Sequence, residues 1–148
     1  MEVGEPAEVL AVKPVNLLFV SGPATDIFIS GVTGPNSEIV NGFYSPSQER
    51  GSDGRALYVK SDDDDEDDSV CIEHMSHTEG VWQVKRLSRK GTDYCFAGLQ
   101  GGCPLEACTS RVWIVASGGQ ANEMPSVKML IGGEAKRAVS HLTSKLTL

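Results

Sequence analysis

A chain of 148 residues with 40% apolar content is the length of one domain with one sizeable core. Its net charge of −7 is concentrated in one run, Asp62 to Asp68 (Asp-Asp-Asp-Asp-Glu-Asp-Asp), outside which thirteen acidic residues face thirteen basic ones. That balance excludes a general electrostatic attraction to nucleic acid or to an anionic membrane, and no apolar run approaches the ~18 residues of a spanning helix.

Met1 to Glu8 carries Glu2, Glu5 and Glu8 where a secretory leader needs positive charge, and residues 1–8 are expected to be a flexible N-terminus. Val9 to Val20 is apolar and β-branched but contains Lys13 and Pro14, so it reads as an edge strand or two short pieces. Without a leader, the expectation is a cytoplasmic protein whose four cysteines, Cys71, Cys95, Cys103 and Cys108, are reduced. Asp26 to Ser30 is a short strand. Glu38 to Ser45 reads as a strand with a turn or bulge at Asn41-Gly42. Gln48 to Gly54 is a polar turn and Ala56 to Lys60 the next strand. Ser69 to His74 returns, so that Leu57-Val59 and Val70-Ile72 form a hairpin across the acidic loop.

Gly80 to Val115 holds the two largest apolar side chains. Val81-Trp82-Gln83-Val84 and Val112-Trp113-Ile114-Val115 repeat one Val-Trp-x-Val frame with the period of a strand. Between them lie a basic turn (Lys85 to Gly91), an aromatic strand (Tyr94 to Ala97) and a Gly/Cys/Pro loop (Gly101 to Cys108). A small domain rarely leaves an indole in water, so both Trp strands are expected to feed one core. Ser117 to Gln120 is a turn and Ser126 to Ile131 the last strand, with Val127, Met129 and Ile131 on one face. After Gly132-Gly133 the period changes. Ala135, Ala138, Val139, Leu142 and Leu146 form an amphipathic stripe, predicting a helix over 134–146.

Sixteen Gly and seven Pro exceed the ordinary share and suit short strands joined by turns. The expected fold is all-β: an antiparallel sandwich or small barrel of about eight or nine short strands in one domain over 9–131, with a C-terminal helix.

Asn41-Gly42-Phe43-Tyr44, Gly54-Arg55-Ala56-Leu57-Tyr58-Val59-Lys60, Val70-Cys71-Ile72, Val81-Trp82-Gln83-Val84 and Val112-Trp113 together resemble a module that recurs in protist proteins. Its frame is NG-aromatic-Tyr, then G-R-x-x-Y-x-K, then two Trp-x-V strands, and the likeness spans about Ile29 to Ile131. The resemblance implies a β-rich module, used singly or in tandem, with no settled activity and no catalytic residue to transfer. The acidic run and the Cys-rich loop lie outside that frame.

Two charged stretches are candidates for contact. Asp62, Asp63, Asp64 and Asp65 open the acidic run, a solvated hairpin loop that a basic partner could meet; consecutive acids lack the spaced oxygens of a calcium cage. Lys85, Arg86, Arg89 and Lys90 form the basic turn, able to hold a phosphate, an acidic peptide or the acidic loop itself. A Cys/His set supplies the alternative: Cys71, His74, His77, Cys103 and Cys108 could ligate zinc or supply a thiol nucleophile. Only Cys103 and Cys108 have knuckle spacing, however, and in a strand Cys71 and His74 point to opposite faces. The sequence is therefore read as a non-enzymatic protein-interaction module with a protein partner or self-association through the helix stripe, without cofactor. A small zinc-binding or cysteine-dependent enzyme is the alternative.

Overall fold

Apolar alternation and glycine-rich turns together produce nine antiparallel strands among the described residues. The structure, a computed structural model, describes residues 24–61, 68–76, 79–102 and 104–147, with side chains placed as far as residue 140. The proposed flexible N-terminus, the edge strand in 9–20, Asp62 to Asp65, His77 and Cys103 lie outside the described residues.

In chain order the elements are β1 (Ile27–Ser30), α1 (Ser37–Val40), β2 (Gly42–Arg50), β3 (Ala56–Lys60), β4 (Val70–Met75) and β5 (Val81–Arg86). A 3-10 turn (Leu87–Arg89), β6 (Ala97–Gln100) and a second 3-10 turn (Leu105–Ala107) follow. Last come β7 (Trp113–Ser117), β8 (Gln120–Met124), β9 (Lys128–Ile131) and α2 (Gly132–Thr147). All nine strands lie in one sheet, ordered β8-β7-β6-β5-β4-β3-β2-β1-β9 and curled into a half-barrel. The all-β antiparallel class with a terminal helix is thus present in its barrel-like form. The first eight strands are a meander, and β9 then returns to pair with β1, Ile27 opposite Ile131. Only Pro125, Ser126 and Val127 separate β8 from β9, although these two strands are opposite edges of the sheet. The curl brings the edges within that reach. At the crossing, Ser126 Oγ donates to Gly31 O, and Gly31 has φ 90° where a Cβ would overlap the Ser126 carbonyl.

The concave face is the core. Trp82 and Trp113 both point inward, 2% and 1% exposed, so the paired indoles do share one interior. Tyr58 and His74 meet Trp82 edge-on, at centroid distances of 5.9 and 4.8 Å. Segment 31–41 bridges the open side: Asn36 Nδ2 donates to Ala116 O in β7, and the Thr33 N–H reaches Met124 Sδ in β8. Helix α2 begins at Gly132, whose N–H donates to Asp26 O, and buries Ala135.

The residues of the resembled frame fix this geometry. The Asn41 amide accepts from Val32 N and donates to Val32 O. The Tyr44 hydroxyl donates to Val40 O, and Lys60 Nζ donates to Glu38 O and Ile39 O at the end of α1. Tyr58 donates to Glu106 at 2.6 Å, tying the second 3-10 turn to the sheet.

Four boundaries differ from expectation. Ser37–Val40 is a helical turn where a strand was expected, because Asn41 ties its side chain to Val32 and ends it. Strand β2 continues to Arg50 into the expected polar turn. The aromatic strand begins only at Ala97; Tyr94 lies in a loop, 67% exposed, with the Arg89 guanidinium 4.5 Å from its ring. Strand β8, polar and largely exposed, had no apolar alternation to announce it. Truncating either indole, Trp82→Ala or Trp113→Ala, should cost about 3–5 kcal/mol in urea unfolding. Tyr94→Ala should stay within about 0.5 kcal/mol of the parent.

Candidate functional site

Among the described residues, the outer face of the sheet divides into a covered half and an open half. Over β3–β5, two loops fold onto the strands and meet at Gly91, where a Cβ would lie 3.7 Å from Ser52 Cβ. Beneath them Glu73 and Lys85 expose no surface and pair at 2.8 Å. Glu73 Oε1 accepts the Gly91 N–H and Oε2 the Ser52 N–H, while Lys85 Nζ also donates to Thr92 O at 2.6 Å. Burial raises the Glu73 carboxyl pKa, but those two N–H groups and the Lys85 ammonium outweigh it and hold the group below the ordinary carboxylate range.

On the concave side, at the rim of the half-barrel, His74 Nδ1 lies 2.6 Å from Asp53 Oδ2 and Nε2 lies 3.0 Å from Gly101 O. Both partners are acceptors, so a ring carrying both protons donates to each. Ser76 Oγ also donates to Asp53 Oδ2 at 2.6 Å. The Asp53 carboxyl is raised by burial, but the Ser76, His74 and Arg55 hydrogen bonds outweigh this and leave it lowered. These contacts join the β2–β3 turn, β4 and the Gly101 loop. They are not a catalytic triad, since Ser76 meets Asp53 and not the ring.

The open half lies over β5–β8. There Val81 and Gln83, Gly98, Ile114 and Ala116, and Ala121 border a cleft of 360 Å³. Cys95 and Phe96, at the end of the loop held by Lys85, form one wall, and Glu79 and Gln100 close one end with a hydrogen bond of 2.8 Å. The hollow follows from the sequence: the register sets Gly98 between Gln83 and Ile114, and glycine supplies no side chain there. Ile114, directly beside it, is 44% exposed. Gln83 is nearly buried; Nε2 donates to Asp93 at 3.3 Å, and Oε1 has no partner among the described residues.

The sequence-predicted residues are distributed quite differently. Lys85 is not in a solvated turn. It lies in strand β5 on the loop-covered outer face, and that corrects its assignment as an exposed contact. Arg86 donates to Asp68 O and lies over Phe96, Lys90 pairs with Glu49 at 2.6 Å, and Arg89 covers Tyr94. Asp68, the last of the acidic run, accepts the Ser88 N–H and hydroxyl, so the two charged stretches meet within one chain. Cys71 lies on the outer face opposite Lys85, while His74 lies on the concave face opposite Trp82 and Cys108 is buried in the core. No three metal-ligating side chains converge among the described residues. Burial, and then the Glu73 carboxylate, push the Cys71 thiol up to about 12, the reverse of what a nucleophile needs. The loop that carries Leu105 and Cys108 plugs the core with both side chains.

Sequence reasoning missed the cleft. Its signal was Gly98 in a strand whose register only the fold supplies. No known protein-family model, curated protein or solved structure matches this chain, and no described helix is long and apolar enough to cross a membrane.

Lys85→Met leaves Glu73 charged and buried without its cation and should cost about 3–5 kcal/mol in chemical denaturation. Because Glu73 and Asp53 have lowered folded pKa values, each binds protons less readily folded than unfolded. The stability they contribute is complete above the ordinary carboxylate range of about pH 4 and is lost as pH falls through the lowered values. Denaturation midpoints taken from pH 7 to pH 3 should fall steeply for the parent and less steeply for Glu73→Gln, which starts lower.

Proposed function

We propose that the protein is a non-enzymatic protein-interaction module that receives an apolar side chain of a partner in the cleft over β5–β8. The observation that carries the reading is the hollow at Gly98: an apolar depression beside exposed Ile114, on the half of the outer face that no described loop covers. Its size suits one or two large side chains. A fixed sheet supplies the floor, and the Glu73–Lys85 clamp holds the Cys95–Phe96 wall in place, so little ordering remains to be done on binding. The basic turn is a weaker contact surface than its sequence suggests, because each of its charges has a partner within the chain.

The reading keeps the resemblance to the protist module as part of the proposal. The frame residues Asn41, Tyr44, Tyr58 and Lys60 hold the scaffold; Val81 and Gln83 of the frame also border the cleft, whereas Gly98, Ala116 and Ala121 lie outside the quoted motifs. Copies of such a module would share a fold and differ in what they bind. A cytoplasmic setting fits the same proposal.

Filling the hollow tests it. A Cβ at Gly98 would make only ordinary contacts, 3.5 Å to Val81 Cγ2 and 3.9 Å to Trp82 O, so Gly98→Leu should unfold within about 1 kcal/mol of the parent. Peptides selected from a displayed random library on the intact chain should bind Gly98→Leu at least tenfold more weakly. Selected peptides that bind both proteins equally would remove the cleft from the function.

A further inference from the structure

Three large apolar side chains are exposed among the described residues, Tyr94, Val112 and Ile114, and all three stand around the cleft. Ile114 borders the hollow, and Val112 precedes it by two, the spacing that shares a face in a strand. Tyr94 adjoins the wall residue Cys95. Single exposed apolar residues need no explanation, but three around one apolar hollow mark a surface that is covered in use.

The nature of the cover follows from Tyr94. It is 67% exposed, yet its place is fixed. Its N–H donates to Thr92 Oγ1, Thr92 Oγ1 donates to Arg89 O, and the buried Lys85 ammonium donates to the Thr92 carbonyl at 2.6 Å. The ring also carries a cation, the Arg89 guanidinium, 4.5 Å from its centre. One face of the molecule therefore holds a fixed aromatic knob with a positive charge on it, beside an apolar socket. The socket is bordered by the opposite sign. Glu79 lies at one end of it, and Glu123 lies opposite Ile114 on the outer face of β8. No basic residue lines it among the described residues.

We propose that the partner is a second copy of this chain, joined about a two-fold axis, each copy seating its Tyr94 ring in the Gly98 hollow of the other and bringing Arg89 to the other's Glu79 and Glu123. This inference rests on the cleft-binding reading above and names the partner. A two-fold axis standing between knob and socket that carries Tyr94 into the hollow also carries the hollow onto the other Tyr94, so seating one ring seats both. The volume of 360 Å³ accepts a phenol ring. Two aromatic anchors then form the centre of the interface, and the charges at its rim set the register. Because the Glu73–Lys85 clamp already holds the knob out, little ordering accompanies association.

Sedimentation equilibrium on the full chain tests the proposal. The parent should form a reversible dimer that Tyr94→Ala and Gly98→Leu each weaken at least tenfold, while both variants keep the parent's circular dichroism when dilute. Mixing the two variants is the diagnostic arm. One supplies an intact hollow and the other an intact ring, so the mixture should recover dimer that neither variant forms alone. Arg89→Ala should weaken the dimer and flatten its dependence on salt. A parent that stays monomeric at about 1 mM would overturn the inference. If selected peptides still distinguish that monomer from Gly98→Leu, the cleft reading stands and only the second copy is lost. A dimer that neither substitution weakens would be built on another surface, and a mixture that recovers nothing would exclude reciprocal seating; either result overturns the proposal. Masses that climb past two copies would mean head-to-tail contacts and would overturn the two-fold.

Discussion

A carboxylate and an ammonium withdrawn wholly from water set the character of this molecule. Either charge alone under the loops would be prohibitive. Together, with two backbone N–H donors on Glu73 and the Thr92 carbonyl on Lys85, they form a closed polar cluster that only one loop arrangement satisfies. An apolar pair of similar volume could be as stable, as buried ion pairs often show. What such a pair would not supply is direction. The N–H of Gly91 and the carbonyl of Thr92 have to come to a fixed point above β4 and β5. The chain from Lys90 to Phe96 is pinned there, and its far end becomes a wall of the cleft.

The same sheet does opposite things with its two faces. Curling turns the concave side into a volume that absorbs both indoles, two buried tyrosines and the aliphatic residues of nearly every strand. On the convex side the described loops cover only the half over β3–β5. On the other half a hollow forms where a glycine falls between Gln83 and Ile114. The polar features that look reactive in isolation serve the scaffold instead. Asp53, His74 and Ser76 lock a turn to the Gly101 loop, and Glu106 gathers Tyr58 and Thr25 through hydrogen bonds of 2.6 and 2.9 Å.

The strands with strong apolar alternation are legible in the sequence: β1, β3, β4, β5 and β9, the burial of both Trp residues and the closing helix. Local signals were sufficient there because period and turn chemistry agreed. They failed where tertiary contacts decide. Asn41 was read as a turn residue within a strand, since nothing local says that its amide will clamp Val32. Lys85 was read with its basic neighbours, although its parity in the strand already set it on the face of Gln83 and Val81, opposite to Trp82. Strand β8 has no apolar period; a hairpin partner and a pair of glycines with positive φ define it. The candidate site was invisible for a related reason. A cleft on a sheet is a property of register between β5, β6, β7 and β8, and one sequence carries no register until the turns are placed.

The return of β9 to β1 has a consequence for biogenesis. Ile27 finds its partner in Ile131, a neighbour made more than a hundred positions later. While the polypeptide emerges from the ribosome, strands can zip together successively from β1 to β8, yet the outer side of β1 stays bare until the final strand has been synthesised. Closing so large a ring carries an entropic cost and comes late. Until then a nascent domain displays an unpaired, apolar border made of Ile27, Phe28 and Ile29, the part of the immature product that a chaperone would be expected to shield.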